Sequence, residues 1–136
     1  MSSATLDDLG KLVLRVSVGL LLLFHGLNKL THGVGPIEGM VAAHGLPAFF
    51  AWAVYIGELI APLCLVLGIY TRMGGLLVVA NMLVAIALAH MGHLTQFTST
   101  GGWRLELQAL YLFGGLAAAL LGAGSFSLGG RSGRWN

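Results

Sequence analysis

Four long apolar stretches constrain this chain most, because each is close to the length of a helix that crosses a lipid bilayer. They cover about residues 9–30, 47–69, 73–91 and 105–123. A helix rises ~1.5 Å per residue, so about 20 apolar residues cross a hydrocarbon core of ~30 Å. Only 9% of the residues are charged, against roughly a quarter in soluble domains. The sequence therefore predicts an all-α polytopic membrane protein, a four-helix antiparallel bundle that forms a single domain over residues 1–136.

The distribution of Lys and Arg predicts how the bundle is oriented. Two of the seven basic residues lie at one end, and five lie at the end that carries both termini, namely Lys11, Arg15, Arg72, Arg131 and Arg134. Because cytoplasmic segments carry an excess of Lys and Arg, we expect a multi-pass protein of the cell (inner) membrane with both termini in the cytoplasm. All five histidines then lie at or near the outer side. The net charge of +2 is too small to indicate a nucleic-acid partner.

Ionisable side chains inside the apolar stretches point to function, because they are costly in hydrocarbon. Glu58 lies near the middle of the second stretch, where a carboxylate should be neutral or paired. We expect Arg15 as its partner, with Lys29 and His25 as alternatives. Glu106 lies about one turn inside the outer end of the fourth stretch. These five residues form the predicted ligand-binding cluster, and an ion pair that only fixes the helix register is the alternative interpretation.

Pro62 adds a backbone feature beside Glu58. It follows Glu58 by four residues, so its ring nitrogen cannot donate a hydrogen bond to the Glu58 carbonyl, and its ring bends the helix. We therefore predict a structural kink and a free backbone oxygen at the depth of the buried acid.

His90 and His93 are the candidate metal ligands, because two imidazoles three residues apart at a helix end can face one ion. Two ligands are too few, so His25, His32 or His44 would have to complete the site. A bis-histidine haem would need His25 and His90, whose predicted depths differ by ~9 Å. Ordinary interfacial histidines are favoured, and we expect neither haem nor a metal.

Five motifs in the same order resemble the DoxX family of membrane proteins, over nearly the whole chain. The tail departs from many relatives, with Ala123 where they carry proline and Gly129 where they carry aspartate. The motifs are Leu14-Arg15 followed by Phe24-His25-Gly26-Leu27-Asn28-Lys29, then Gly57-Glu58-Leu59, Leu67-Gly68-Ile69-Tyr70-Thr71-Arg72, the stretch from Glu106 to Tyr111, and Gly122-Ala123-Gly124-Ser125-Phe126-Ser127-Leu128.

The resemblance implies a four-helix bundle of the DoxX and DoxD-like group, tied to respiratory or redox chemistry. Its motifs carry over Arg15, His25, Lys29, Glu58 and Glu106 as site residues. A quinone suits such a cluster, because its tail belongs in lipid while its carbonyls need donors and, on reduction, proton partners. The predicted function is a quinone-interacting accessory subunit of a respiratory or redox-stress oxidoreductase system. Its expected partners are the bilayer and either a redox subunit or further copies of the chain.

Two alternatives from other classes stay open. One is a non-catalytic membrane scaffold for a redox partner, and the other is the handling of a small solute or metal by the outer histidines and the Pro62 kink. A single cysteine, Cys64, excludes dithiol chemistry within one chain. Electrons for any redox turnover must therefore come from a partner subunit or a bound cofactor.

Overall fold

The computed structural model describes residues 2–136, and these residues form helices and loops without a β-strand. Two short 3-10 helices and two π-helical turns interrupt the α-helices, and one antiparallel bridge joins Phe97 to Trp103. The predicted all-α class is confirmed. The α-helices are α1 (Ser3–His32), α2 (Gly35–Ala43), α3 (Ala61–Leu67), α4 (Thr71–Ala85) and α5 (Glu106–Leu121); the 3-10 helices are Ala48–Ala53 and Met91–His93, and the π-helices are Ile56–Ile60 and Ile86–His90.

Three helical stretches are long and apolar enough to cross a membrane: Ser3–His32, Ala48–Leu67 and Thr71–His93. The stretch predicted over about 105–123 is present as α5, which is apolar but has only 16 residues. The first helix starts earlier than the predicted residue 9. The side chain of Ser2 accepts a hydrogen bond from the Thr5 amide and caps the helix. The first turns of α1 are therefore polar, and they precede its apolar stretch.

The second stretch is irregular where Pro62 follows Glu58. Pro62 lies in the first turn of α3 and has no N–H for the Glu58 carbonyl. Just before it, the Ala61 N–H donates to the carbonyl of Ile56, five residues back, in the π-helical turn Ile56–Ile60. Such widened turns recur at functional sites. The irregularity therefore extends over the whole turn that carries Glu58.

The helices pack around one apolar core, and large apolar side chains also cover the outside of the bundle. Val13, Leu110 and Phe113 are all more than 60% exposed. This distribution suits a molecule whose solvent is lipid rather than water. The buried core consists of Val18, Leu22, Ala61, Leu65, Val78, Met82, Tyr111 and Ala118.

Arg15 holds together the end of the bundle that carries both termini, which we call the termini end. Its side chain is only 1% exposed. It donates to the carbonyls of Leu65 (2.9 Å) and Val66 (2.7 Å) at the end of α3, and to Ala123 (3.2 Å) and Phe126 after α5. A cation thus satisfies carbonyls that helix ends leave without partners.

A second arginine and an ion pair complete the termini end. Arg72, at the start of α4, donates to the carbonyls of Ala119 (2.9 Å) and Leu120 (2.8 Å) at the end of α5. In the tail, Arg131 donates to the buried carboxylate of Asp8 at 2.5 Å. This hydrogen bond and the negative charge of Asp8 raise the pKa of Arg131 above its ordinary value. The tail is therefore fastened to α1 and to both helix ends.

Replacing Arg15 by Met should lower the free energy of unfolding in detergent by about 3 kcal/mol, because four carbonyls lose a charged donor. Equilibrium unfolding followed by circular dichroism measures the change. Arg134→Met is the matched control, because Arg134 is an exposed arginine in the tail after α5. It should lower the free energy of unfolding by less than about 0.5 kcal/mol. Equal, small losses in both variants would contradict the role given to Arg15.

Candidate ligand-binding site

A cavity of about 460 Å³ lies at the end of the bundle opposite the termini, which we call the histidine end. Its walls come from α1, α2, α4, α5 and the π-helical turn Ile56–Ile60, and most of them are apolar. Cavities of roughly 300–1,000 Å³ with a few placed polar groups are typical of small-molecule sites. Seven lining side chains can exchange hydrogen bonds: His25, Lys29, Glu58, Asn81, His90, Gln108 and Tyr111.

An ion pair between Lys29 and Glu58 forms one side of the cavity, with 2.5 Å between Nζ and Oε2. The Glu58 side chain is nine-tenths buried, and Lys29 is three-quarters buried. Gly26 makes the pair possible, because a Cβ at this position would overlap the Glu58 carbonyl. The backbone of α1 therefore lies directly on the π-helical turn, and Lys29, three residues further on, reaches over the carboxylate. The hydroxyl of Tyr55 donates to the Lys29 carbonyl at 3.0 Å and fixes the same region.

Two amide side chains that line the cavity carry polar atoms without partners. Asn81 Nδ2 and Gln108 Oε1 are buried, and neither has a hydrogen-bond partner within residues 2–136. The Asn81 side chain packs where Gly57 leaves room, since a Cβ on Gly57 would overlap it. Buried polar atoms without partners are uncommon, and each costs about 1–3 kcal/mol. Two residues in the wall of the same cavity thus carry an unpaired donor and an unpaired acceptor, each buried within that wall.

His25 and Tyr111 add an aromatic contact to the polar side chains of the cavity. Their ring centroids are 5.9 Å apart and the planes are nearly perpendicular. Tyr111 is buried in the core, whereas His25 is exposed. An entering ligand can therefore reach the His25 imidazole.

The predicted pairing of Arg15 with Glu58 is wrong, and Lys29, one of the two alternatives, is the partner. Gly26 lies against the Glu58 backbone, which places Glu58 eleven residues, or ~16 Å, along α1 from Arg15. A guanidinium cannot cover that distance. Arg15 instead binds carbonyls at the termini end, so the structure does not bring it to the cavity with His25 and Lys29.

Glu106 is also separate from the cavity. It is exposed in the first turn of α5, where a helix N-terminus favours a negative charge. Of the predicted cluster, the structure brings together His25, Lys29 and Glu58. Asn81 and Gln108 were not among the predicted site residues. A lone amide inside an apolar stretch is costly to bury, and this cost could have indicated them.

The two histidines proposed as metal ligands lie next to each other, with 3.3 Å between their Nδ1 atoms. His90 lines the cavity and its Nε2 lies 3.3 Å from Gln108 Nε2. Within the described residues, no group of three or more His, Cys, Asp or Glu side chains comes together as a metal site. The pair therefore extends a hydrogen-bonded row from the cavity to His93.

These features define a helical membrane protein with a largely apolar cavity that contains an ion pair. The chain belongs to the DoxX family, whose model matches residues 10–91. It is 34% identical over 79 residues to a Bacillus subtilis (strain 168) protein named "Putative oxidoreductase CatD". That alignment covers 58% of this chain and 58% of the relative. No solved structure matches the chain at a significant level.

The family segment and the cavity overlap only in part. The matched residues 10–91 include His25, Lys29, Glu58 and Asn81. Gln108 and Tyr111 on α5 lie outside it, so the cavity is completed by a helix beyond the family match. The family match over residues 10–91 confirms the resemblance that the sequence motifs indicated.

Neutralising only Lys29 should destabilise the fold more than neutralising both Lys29 and Glu58. Lys29→Met leaves a buried carboxylate alone and should lower the free energy of unfolding by about 2–3 kcal/mol. Adding Glu58→Gln to that variant should recover more than half of the loss. A double-mutant cycle in detergent measures the coupling.

The matched control for this cycle is Lys11→Met, because Lys11 pairs with an exposed Asp7 at 2.6 Å. The two pairs differ in the carboxylate, which is 57% exposed in Asp7 and 10% exposed in Glu58. Because water solvates the Asp7 carboxylate, this pair contributes about 0.3–0.5 kcal/mol. Additive effects of Lys29→Met and Glu58→Gln would contradict a direct interaction between the two side chains.

Proposed function

We propose that this DoxX protein binds a quinone, with the head group in the cavity at the histidine end. The observation that supports the proposal is that two residues of the cavity wall, Asn81 and Gln108, each carry a buried polar atom without a partner among the described residues, Nδ2 and Oε1 respectively. A quinone carbonyl accepts from the Asn81 amide. The hydroxyl of the reduced form can donate to Gln108, so the two amides suit both redox states of one ligand.

The ion pair and the histidine provide the proton chemistry that such a ligand needs. Reduction of a quinone to a quinol takes two electrons and two protons. Lys29, Glu58 and His25 line the same cavity and can hold or release protons beside the ligand oxygens. With one cysteine in the chain, the electrons come from a partner subunit or a bound cofactor.

The cavity also has apolar walls by which a lipophilic tail can leave. Phe50, Ile56 and Leu107 line it, and each is 45–50% exposed on the outside of the bundle. An isoprenoid tail passing these side chains reaches hydrocarbon without crossing a polar surface. This arrangement favours a membrane-soluble ligand over a solute that enters from water.

The proposal includes the membrane arrangement and the role in a larger system. We place α5 as the fourth crossing of an antiparallel bundle, since Leu110, Phe113 and Leu120 are exposed along it. Its 16 residues span ~24 Å. The termini end lies on the cytoplasmic side of the cell (inner) membrane because it carries five of the seven basic residues. The chain then serves as an accessory subunit of an oxidoreductase, with a redox subunit or further copies as partners.

Binding of ubiquinone-1 and of a short-chain menaquinone to the detergent-purified protein tests the proposal. Each quinone should raise the thermal unfolding midpoint of the natural protein. Asn81→Ala and Gln108→Ala should each weaken binding about tenfold, because each removes one ligand hydrogen bond. The matched control is Asn28→Ala, an exposed amide on α1 that does not line the cavity.

Several outcomes separate the proposal from its alternatives. Organic extracts of the purified protein should contain quinone by mass spectrometry. If extracts hold none and neither quinone shifts the midpoint, the site is not a quinone site. If Glu58→Gln lowers abundance and partner recruitment together but leaves quinone binding unchanged, the ion pair is architectural and a scaffold function is favoured.

A further inference from the structure

A second cavity, of about 200 Å³, lies at the termini end and is lined by three cationic side chains: Lys11, Arg72 and Arg131. Leu121 and Gly124, at and just beyond the end of α5, form another wall. This cavity lies at the opposite end of α1 from Lys29 and does not depend on the proposed quinone site. We propose that it binds the phosphate of an anionic phospholipid.

Arg72 gives the site a fixed donor. Its Nε and Nη1 are held by main-chain oxygens of Asn136, Ala119 and Leu120 at 2.8–3.0 Å. Its Nη2 has no hydrogen bond to any residue of the described chain. The guanidinium is therefore locked in place while one of its nitrogens can still donate, which is the preorganisation that phosphate recognition favours.

Lys11 and Arg131 keep donors available although each has an acidic partner. Lys11 pairs with Asp7, whose side chain is 57% exposed, so water competes for that contact. Arg131 uses Nη2 on Asp8, and 58% of its side chain is exposed. Its remaining nitrogens can face an anion while the Asp8 bond is kept.

The charge of the termini end favours an anion. Among the side chains at this end, Asp7 and Asp8 compensate two of the five positive charges, which leaves an excess of three. Asn136, whose main-chain oxygen binds Arg72, also lines the cavity. Basic pockets between helices on the cytoplasmic side of membrane proteins are typical sites for anionic lipid head groups. The five cations are Lys11, Arg15, Arg72, Arg131 and Arg134.

The apolar surroundings favour a phospholipid over free phosphate. Leu121 lines the cavity and is 48% exposed, and its neighbour Leu120 is 68% exposed. Acyl chains can therefore run along α5 while the phosphate contacts the cations at the end of the helix. A soluble phosphate would gain nothing from this surface.

Native mass spectrometry of the full chain, released from detergent with added phosphatidylglycerol or phosphatidylcholine, tests the site. The natural protein should retain one phosphatidylglycerol in preference to phosphatidylcholine. Lys11→Gln and Arg131→Gln should each weaken retention about fivefold, as expected for one cation at a charged lipid surface. Arg134→Gln is the matched control, because this exposed tail arginine does not line the cavity.

Arg131→Gln also removes the partner of Asp8 and can lower stability, so a variant that keeps the charge is measured beside it. Arg131→Lys preserves the charge and should recover most of the retention. Lys11→Gln leaves behind only the carboxylate of Asp7, which is 57% exposed. Equal loss in Arg134→Gln would show general surface attraction and overturn the site. If inorganic phosphate alone stabilises the protein as strongly as phosphatidylglycerol does, the occupant is a free anion and the assignment to a lipid is wrong.

Discussion

Inside a bilayer, each main-chain polar group must find its partner within the protein, and the structure depends on how this chain meets that constraint. Where α3 and α5 end, Arg15 and Arg72 donate to the orphaned carbonyls. Where Pro62 interrupts the second stretch, a π-helical turn carries the chain past the missing donor. One end of the bundle is thus closed by cations, and the other contains the irregular turn on which the cavity is built.

The cavity follows from that irregular turn. Gly26 lets the backbone of α1 approach the Glu58 carbonyl directly, and this contact sets the height at which Lys29 meets the Glu58 carboxylate. On the other side of the turn, Gly57 leaves space for Asn81. Two glycines therefore bring an ion pair and an amide to the same depth. A side chain at either glycine would separate the helices that now share the cavity.

The sequence was a good guide to the helices and only a partial guide to the site. Apolar length and composition predicted the helical class and the four apolar segments, and Lys29 was named as an alternative partner for Glu58. The choice of Arg15 was wrong because a 3-10 helix and a π-helical turn lie before Pro62, so the depth of Glu58 does not follow from regular helix geometry. Tertiary packing decides which carbonyls remain without partners at a helix end, and this cannot be derived from apolar periodicity.

Asn81 and Gln108 show why the functional content of a membrane chain is hard to derive from charge alone. Ionised residues attract attention because hydrocarbon makes them costly, yet Arg15 binds helix-end carbonyls away from the cavity. Uncharged amides cost less, so a chain can carry them without protein partners and still fold. An apolar cavity that binds a ligand with carbonyl and hydroxyl oxygens needs such groups. In the proposed quinone site, neutral side chains without protein partners are therefore a better marker than charges, because a buried charge is usually paired within the fold itself.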